Sequence, residues 1–179
     1  MKDVNAATTT LPARRAAGER APSFASVAEQ HLDDVFRYLL VFTRDPSLAE
    51  DLAGETFERA LRAWRRFDPR RSSPRTWLCA IARNAALDHF RAESRRRRRE
   101  QLAAEEQRDV DPPELGLSPE LERALRLLSA ADREVIALRI VLELDAEATA
   151  RLLRISPTAC TTRLNRALQR LEERMTDDE

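Results

Sequence analysis

The sequence predicts an all-α protein made of two small helical domains joined by a flexible linker, and three features carry that reading. Leu, Ala, Arg and Glu, all strong helix formers, dominate the 179 residues, and there are only three glycines. Apolar residues recur at spacings of three to five, the signature of helices with one buried face. Over residues 92–117 that pattern lapses into an arginine run and then an acidic stretch ending Asp111-Pro112-Pro113-Glu114, the composition of a linker.

The elements follow in order. Residues 1–22 are polar and aperiodic, the composition of a disordered tail. A first helix begins near Phe24, with Val27, Leu32, Val35, Phe36, Leu39 and Leu40 as its stripe. Asp45-Pro46-Ser47 interrupts it. Ser47 and Glu50 form an S-x-x-E capping pattern, so a second helix is expected to start at Ser47, with Leu48, Leu52, Phe57, Ala60, Leu61 and Trp64 inward. Residues 67–74 read as a loop in which Ser73 caps a third helix and Pro74 is its first residue. That helix carries Trp77, Leu78, Ile81, Ala82, Ala85 and Phe90 into the five arginines at 95–99. The first domain therefore spans 23–91. The second, 118–176, opens with a helix capped by Ser118 and continues with one starting at Asp132. Two further helices, 146–153 and 157 to about 175, are separated by only Arg154-Ile155-Ser156 and fit a helix-turn-helix.

Net charge is zero, but its placement is uneven. Lys2 is the only lysine, arginines gather at 59–75 and 91–99, and acids gather at 100–122 and in Asp177-Asp178-Glu179. A basic face is compatible with that total. Cys79 and Cys160 each sit in an apolar helical pattern and read as buried thiols of a reducing compartment. No run approaches the ~18 apolar residues of a membrane span, and the start of the chain lacks a secretory apolar core, so a cytoplasmic location without membrane insertion is expected. His31 and His89 have no Cys or acidic neighbours at metal spacing, and both read as surface or capping residues. With no phosphate loop and no nucleophile–base pair, neither a cofactor nor a metal nor an enzymatic activity is expected.

The candidate functional residues lie on three faces. Asp51, Glu55 and Glu58 share the outer side of the second helix with Arg59 and Arg62. Arg70, Arg71, Arg75, Arg83 and Arg91 supply positive charge to the loop and the third helix. Trp77 stands among them, as a stacking surface or as core, and Asn84 offers the paired donor and acceptor that read a base edge. Arg83, Asn84, Asp88 and Arg91 fall near one another at helical spacing. On the last helix, Thr158, Thr161, Thr162, Arg163, Asn165 and Arg166 occupy the N-terminal turns that a recognition helix places in the major groove.

These residues carry a family pattern. Asp45-Pro-Ser-Leu-Ala-Glu-Asp-Leu-Ala-Gly-Glu-Thr-Phe-Glu-Arg-Ala-Leu-Arg-Ala-Trp64, then Phe67-Asp68-Pro69, then Trp77-Leu-Cys-Ala-Ile-Ala-Arg-Asn-Ala-Ala-Leu-Asp-His-Phe-Arg91, resembles region 2 of the extracytoplasmic-function (ECF) sigma factors. Ala131-Asp-Arg-Glu-Val-Ile-Ala-Leu-Arg139 and Thr162-Arg-Leu-Asn-Arg-Ala167 resemble their region 4. The pattern departs at Gly54, usually Gln, at Glu143 and Arg154, usually Gly, and at Thr149, usually aliphatic.

The resemblance implies a sigma region 2 bundle and a region 4 helix-turn-helix that together bring core RNA polymerase to promoter DNA. Asp51, Glu55, Glu58, Arg59 and Arg62 would dock on the polymerase clamp helices. Arg70, Arg71, Arg75, Trp77, Arg83, Asn84, Asp88 and Arg91 would handle the minus-ten element, and Thr158, Thr161, Thr162, Arg163, Asn165 and Arg166 the minus-thirty-five element. An anti-sigma factor is a further implied partner. The alternative reading is a helix-turn-helix regulator acting apart from polymerase. Fully extended, the 92–117 linker spans at most about 85–95 Å, against about 70 Å between two promoter elements two helical turns apart.

Overall fold

The computed structural model describes residues 23–101 and 117–176, and every regular element among them is helical. The expected tail at 1–22 and most of the expected linker lie outside the described residues.

Helix α1, Phe24–Thr43, starts at Ser23, whose hydroxyl accepts the Ser26 N–H at 3.2 Å, and stops at Arg44 in the left-handed conformation, φ 61°. Helix α2, Pro46–Ala63, is capped by Asp45 rather than Ser47: the Asp45 carboxylate accepts the Leu48 N–H at 3.0 Å. Aspartate caps as well as serine, and this register puts Pro46 at the first helical position, where its missing N–H costs nothing. A 3₁₀ turn, Trp64–Arg66, leads to the loop and then to α3, Pro74–Gln101. The Ser73 hydroxyl accepts the Thr76 N–H at 3.1 Å, the expected cap. Helix α3 continues ten residues past Arg91, where the linker was expected to begin. Arginine is a good helix former, and Glu93 offsets part of the repulsion by pairing with Arg96 at 3.1 Å and Arg97 at 3.0 Å.

In the second unit α4, Pro119–Leu127, is capped by Ser118, and α5, Ala130–Ile136, by Ser129, three residues before the expected start at Asp132. A π-helical continuation, Ala137–Val141, ends where the Leu142 N–H reaches the Ala137 carbonyl at 3.0 Å. Helices α6, Ala146–Leu153, and α7, Pro157–Thr176, follow, with residues 154–156 as the turn between them.

Helix α1 packs on α2 and α3 and also on α5 and the π-helical segment, so one buried apolar set runs from Val27 to Ala167. The two units therefore lie against each other instead of standing apart on a tether. The buried line of α1 passes through 27, 31, 35, 38 and 42. Leu32 falls beside it, 53% exposed, while His31 falls on it, half-buried, with Nδ1 2.9 Å from Asp34 Oδ2. Leu61, expected inward on α2, is 59% exposed. Both cysteines are free and buried, and burial pushes the Cys79 thiol up to about 12.

The four departures from the family pattern have visible backbone or packing consequences. Glu143 and Arg154 hold positive φ, 51° and 57°, the region that glycine enters without steric cost. Gly54 sits exposed inside α2, where an added Cβ would meet nothing within 4 Å. Thr149 is fully buried and its hydroxyl lacks a partner. Glycine thus occupies a position that suits a side chain, and side chains occupy positions that suit glycine. Gly54→Ala and Arg154→Gly should each raise stability by about 0.5–1 kcal/mol, measurable as a higher midpoint in thermal unfolding followed by circular dichroism.

Candidate nucleic-acid interface

On the outer side of α2, Asp51, Glu55, Glu58 and Arg62 are exposed and Arg59 is half-exposed. Arg59 pairs with Glu55 at 2.5 Å and Arg62 with Glu58 at 3.0 Å, both one helical turn apart. The exposed Leu61 lies to one side of these charges. Arg59 also reaches Asp88 on α3 at 3.4 Å, and Asp88 reaches Arg91 at 3.3 Å. The sequence reading treats the α2 and α3 charges as separate groups, whereas the structure joins them in one surface network.

The loop after the 3₁₀ turn is built on aromatic rings. Trp64 stacks on Phe67 with centroids 5.1 Å apart, and Trp77 lies 5.0 Å from Phe67 and 5.9 Å from Trp64. Phe24 closes the cluster edge-on to Trp64 at 5.5 Å. Trp77, left open between stacking surface and core, is half-buried in this cluster. Asp68 tightens the loop, its carboxylate accepting the Arg70 N–H at 2.9 Å and its carbonyl the Arg71 N–H at 3.0 Å. Both arginine side chains are left exposed.

The remaining expected minus-ten residues divide. Arg75 is committed to Asp34 at 2.8 Å. Burial by itself would raise the Asp34 pKa, but hydrogen bonds from Arg75 and His31 outweigh it and hold the carboxyl below its ordinary 3.8. Arg83 is committed to Glu134 of α5, Nε to Oε1 at 2.7 Å and Nη2 to Oε2 at 3.5 Å. The Tyr38 hydroxyl donates to the same Oε1 at 3.4 Å. Burial, with the Glu134 charge beside it, pushes the Tyr38 phenol well above its ordinary 10. Asn84 is exposed and lines, with Ala80, Arg83, Arg151, Leu152 and Arg154, a cleft of about 140 Å³ between α3 and α6. Asp88 and Arg91 stay on the surface.

On α7, Thr158, Thr162, Arg163 and Arg166 line one concave surface with Asp132, Ser156 and Arg170. Thr161 is exposed beside it and spends its hydroxyl on the Pro157 carbonyl at 3.1 Å; Asn165 is exposed on the same flank. Arg170 was missed in the sequence, although it continues the four-residue ladder 158, 162, 166. It is held by a bidentate pair to Asp132, at 2.7 and 3.2 Å. Glu134 was missed as well, since it lies 51 residues from Arg83 and 96 from Tyr38. Among the described residues no cluster of His, Cys, Asp or Glu could hold a metal ion, and no helix is long and apolar enough to cross a membrane.

Comparison with known proteins decides the family. The Sigma-70 region 2 family matches residues 27–96, and the Sigma-70 region 4 family matches residues 118–171. The chain is an ECF sigma factor. The sigma factor is 34% identical to the ECF RNA polymerase sigma factor BldN of Streptomyces coelicolor, over 94% of this chain and 66% of that protein. It is 31% identical to SigX of Bacillus subtilis, over 86% of this chain and 84% of SigX. Among solved structures it superimposes on the sigma factor RpoE in complex with the anti-sigma factor NepR from Bartonella quintana, with a TM-score of 0.73, 25% identity, and coverage of 87% of this chain and 98% of that one. The all-α reading with two sigma domains holds, and so does promoter-directed transcription initiation as the function of the family. The regulator acting apart from polymerase is not favoured.

Proposed function

We propose that this sigma factor binds core RNA polymerase through the outer face of α2 and holds promoter DNA at two places. The observation that carries this reading is the presence of two exposed charged surfaces on different helices, the paired charges of α2 and the arginine-bearing concave face of α7. Asp51, Glu55, Glu58, Arg59 and Arg62, with the exposed Leu61 to one side of them, supply orientation and encounter rate more than affinity, as charges at an interface rim do. Arg70 and Arg71, exposed on a loop braced by three aromatic rings, suit the backbone of a parted strand, with Asn84 and Arg91 alongside. Arg75 and Trp77 act in the same segment by holding its shape. At the other element Arg166 and Arg163 face bases and phosphates, with Thr158, Thr161, Thr162 and Asn165 contributing shorter contacts.

Strand opening then draws its free energy from tighter binding to the separated strand, with no catalytic step by the sigma factor itself. Reach is a tighter condition than extended-chain counting suggests. With 92–101 helical at ~1.5 Å per residue, the span available falls to about 70 Å, close to the separation of the two promoter elements. RpoE was solved with an anti-sigma factor, and we extend that class of partner to this chain.

The deciding experiment mixes the purified chain with core RNA polymerase, recovers the complex, and runs off transcripts from fragmented genomic DNA. The expected result is co-purification and a small set of discrete transcripts that core polymerase alone does not make. Duplex DNA binding without polymerase and no stimulated transcripts would place the chain among free-standing regulators.

A further inference from the structure

We propose that Glu134 is an intramolecular latch: its carboxylate ties region 4 to region 2 through Arg83 and Tyr38 and keeps Arg83 from promoter DNA until the two units part. The inference rests on the reading of α3 as a DNA-facing helix and deepens it by naming what regulates that face. Glu134 is 5% exposed and the Arg83 side chain 18% exposed, so the pair is screened from water. Truncating one member of such a pair leaves the other charge buried and unpaired, which costs far more than losing an exposed bridge.

Beside the apolar packing of α1 on α5 and the π-helical segment, the remaining polar contact between the units is divided against itself. Arg133 of α5 donates to the Phe42 carbonyl at 3.5 Å and Arg44 donates to the Arg126 carbonyl at 3.3 Å, bonds that hold the units together. Yet Arg44 and Arg133 are like charges close enough to affect each other. Burial first, and then the Arg44 charge, bring the Arg133 guanidinium down to about 10. Opposite charge at Glu134–Arg83 therefore works against like charge at Arg44–Arg133, which makes the closed arrangement separable by a competitor for either partner. Phosphate is such a competitor for Arg83. The α3–α6 cleft adds a steric reason: with Arg151 and Arg154 facing Arg83 and Asn84, a DNA strand cannot lie along that part of α3 while the units are closed.

The test uses the full chain. Glu134→Gln keeps the shape and removes the charge. It should enlarge the radius of gyration in small-angle X-ray scattering. It should also tighten binding of a fluorescein-labelled, random-sequence single-stranded 20-mer by about tenfold, the worth of one charge-assisted contact. Glu29→Gln, the same charge loss on the exposed side of α1, should change neither. Adding Arg83→Ala to Glu134→Gln should abolish the gain in DNA affinity while leaving the chain expanded. If Glu134→Gln loses cooperative unfolding, Tyr38→Phe, which removes one hydroxyl from the same contact, replaces it with a gain of about twofold. A folded Glu134→Gln protein as compact as the unmodified chain, or one gaining no more than Glu29→Gln, overturns the latch. Run-off transcription on the same preparations separates the two readings. An unmodified chain that supports transcripts while Glu134→Gln behaves like Glu29→Gln loses only the latch, whereas an unmodified chain without transcripts loses the sigma reading, and scattering still decides whether Glu134 holds the units together.

Discussion

Replacing Trp64 with alanine will lower the stability of the chain by about 3 kcal/mol, the lower end for a tryptophan because the ring is half-buried. In a protein of this size that is a fall of roughly 6–12 °C in the thermal midpoint. Trp64 is the ring that touches the other three: it stacks on Phe67 at 5.1 Å, receives Phe24 edge-on at 5.5 Å and meets Trp77 at 5.9 Å. Its removal frees the loop that carries Arg70 and Arg71, while the ion pairs of α2, Arg59–Glu55 and Arg62–Glu58, are local to that helix and survive. The two roles proposed for region 2, polymerase docking and strand opening, should therefore separate. Recovery with core polymerase should change little at a temperature below the new midpoint, and strand opening, followed by permanganate reactivity of promoter thymines, should fall by more than tenfold. Trp64→Phe, which keeps a ring in the stack, should cost less than half as much in both measurements. Equal loss of polymerase recovery and strand opening would mean that the aromatic cluster supports the α2 face rather than the loop.

What the sequence makes legible here is mostly local. Caps at Ser73 and Ser118 are short-range chemistry between a side chain and an N–H three residues on, and periodicity locates the helices that follow them. The helix-turn-helix is legible for the same reason, and so is the threonine–arginine face of α7. Where local signals compete, reading from sequence slips: Ser47 and Asp45 are both good caps, and only the position of Pro46 settles the register. On α1, apolar residues at 35, 36, 39, 40, 41 and 42 exceed what one stripe needs. That excess marks a helix buried on two sides, against α2 and α3 and against the second unit. The arginine run at 95–99 shows the opposite failure, since composition that resembles a linker also makes a good exposed helix when Glu93 is in reach. The Glu134–Arg83–Tyr38 contact left no local trace, because closing it depends on how two units dock and not on any spacing within either.

The concave face of α7 offers the second large effect, and it distinguishes two arginines that look alike in sequence. Arg166 is exposed on the surface that Thr158 and Thr162 share. Arg170, one turn further along, is locked to Asp132, whose side chain is only 10% exposed. Arg166→Ala should leave the thermal midpoint within the range of an ordinary surface change, about 0.5 kcal/mol. It should reduce transcription from the chain's own promoters by about 10- to 100-fold, the value of one good bidentate contact to a base. Arg170→Ala removes the partner of a nearly buried carboxylate, for a cost of about 1.5–3 kcal/mol, and should lower the midpoint first and transcription only as the folded fraction falls. Arg170→Lys keeps a charge near Asp132 without the planar fork and should recover part of that stability. Melting curves and run-off yields on the same three proteins test the assignment. It fails if Arg166→Ala destabilises the fold, or if Arg170→Ala leaves stability intact while abolishing promoter choice.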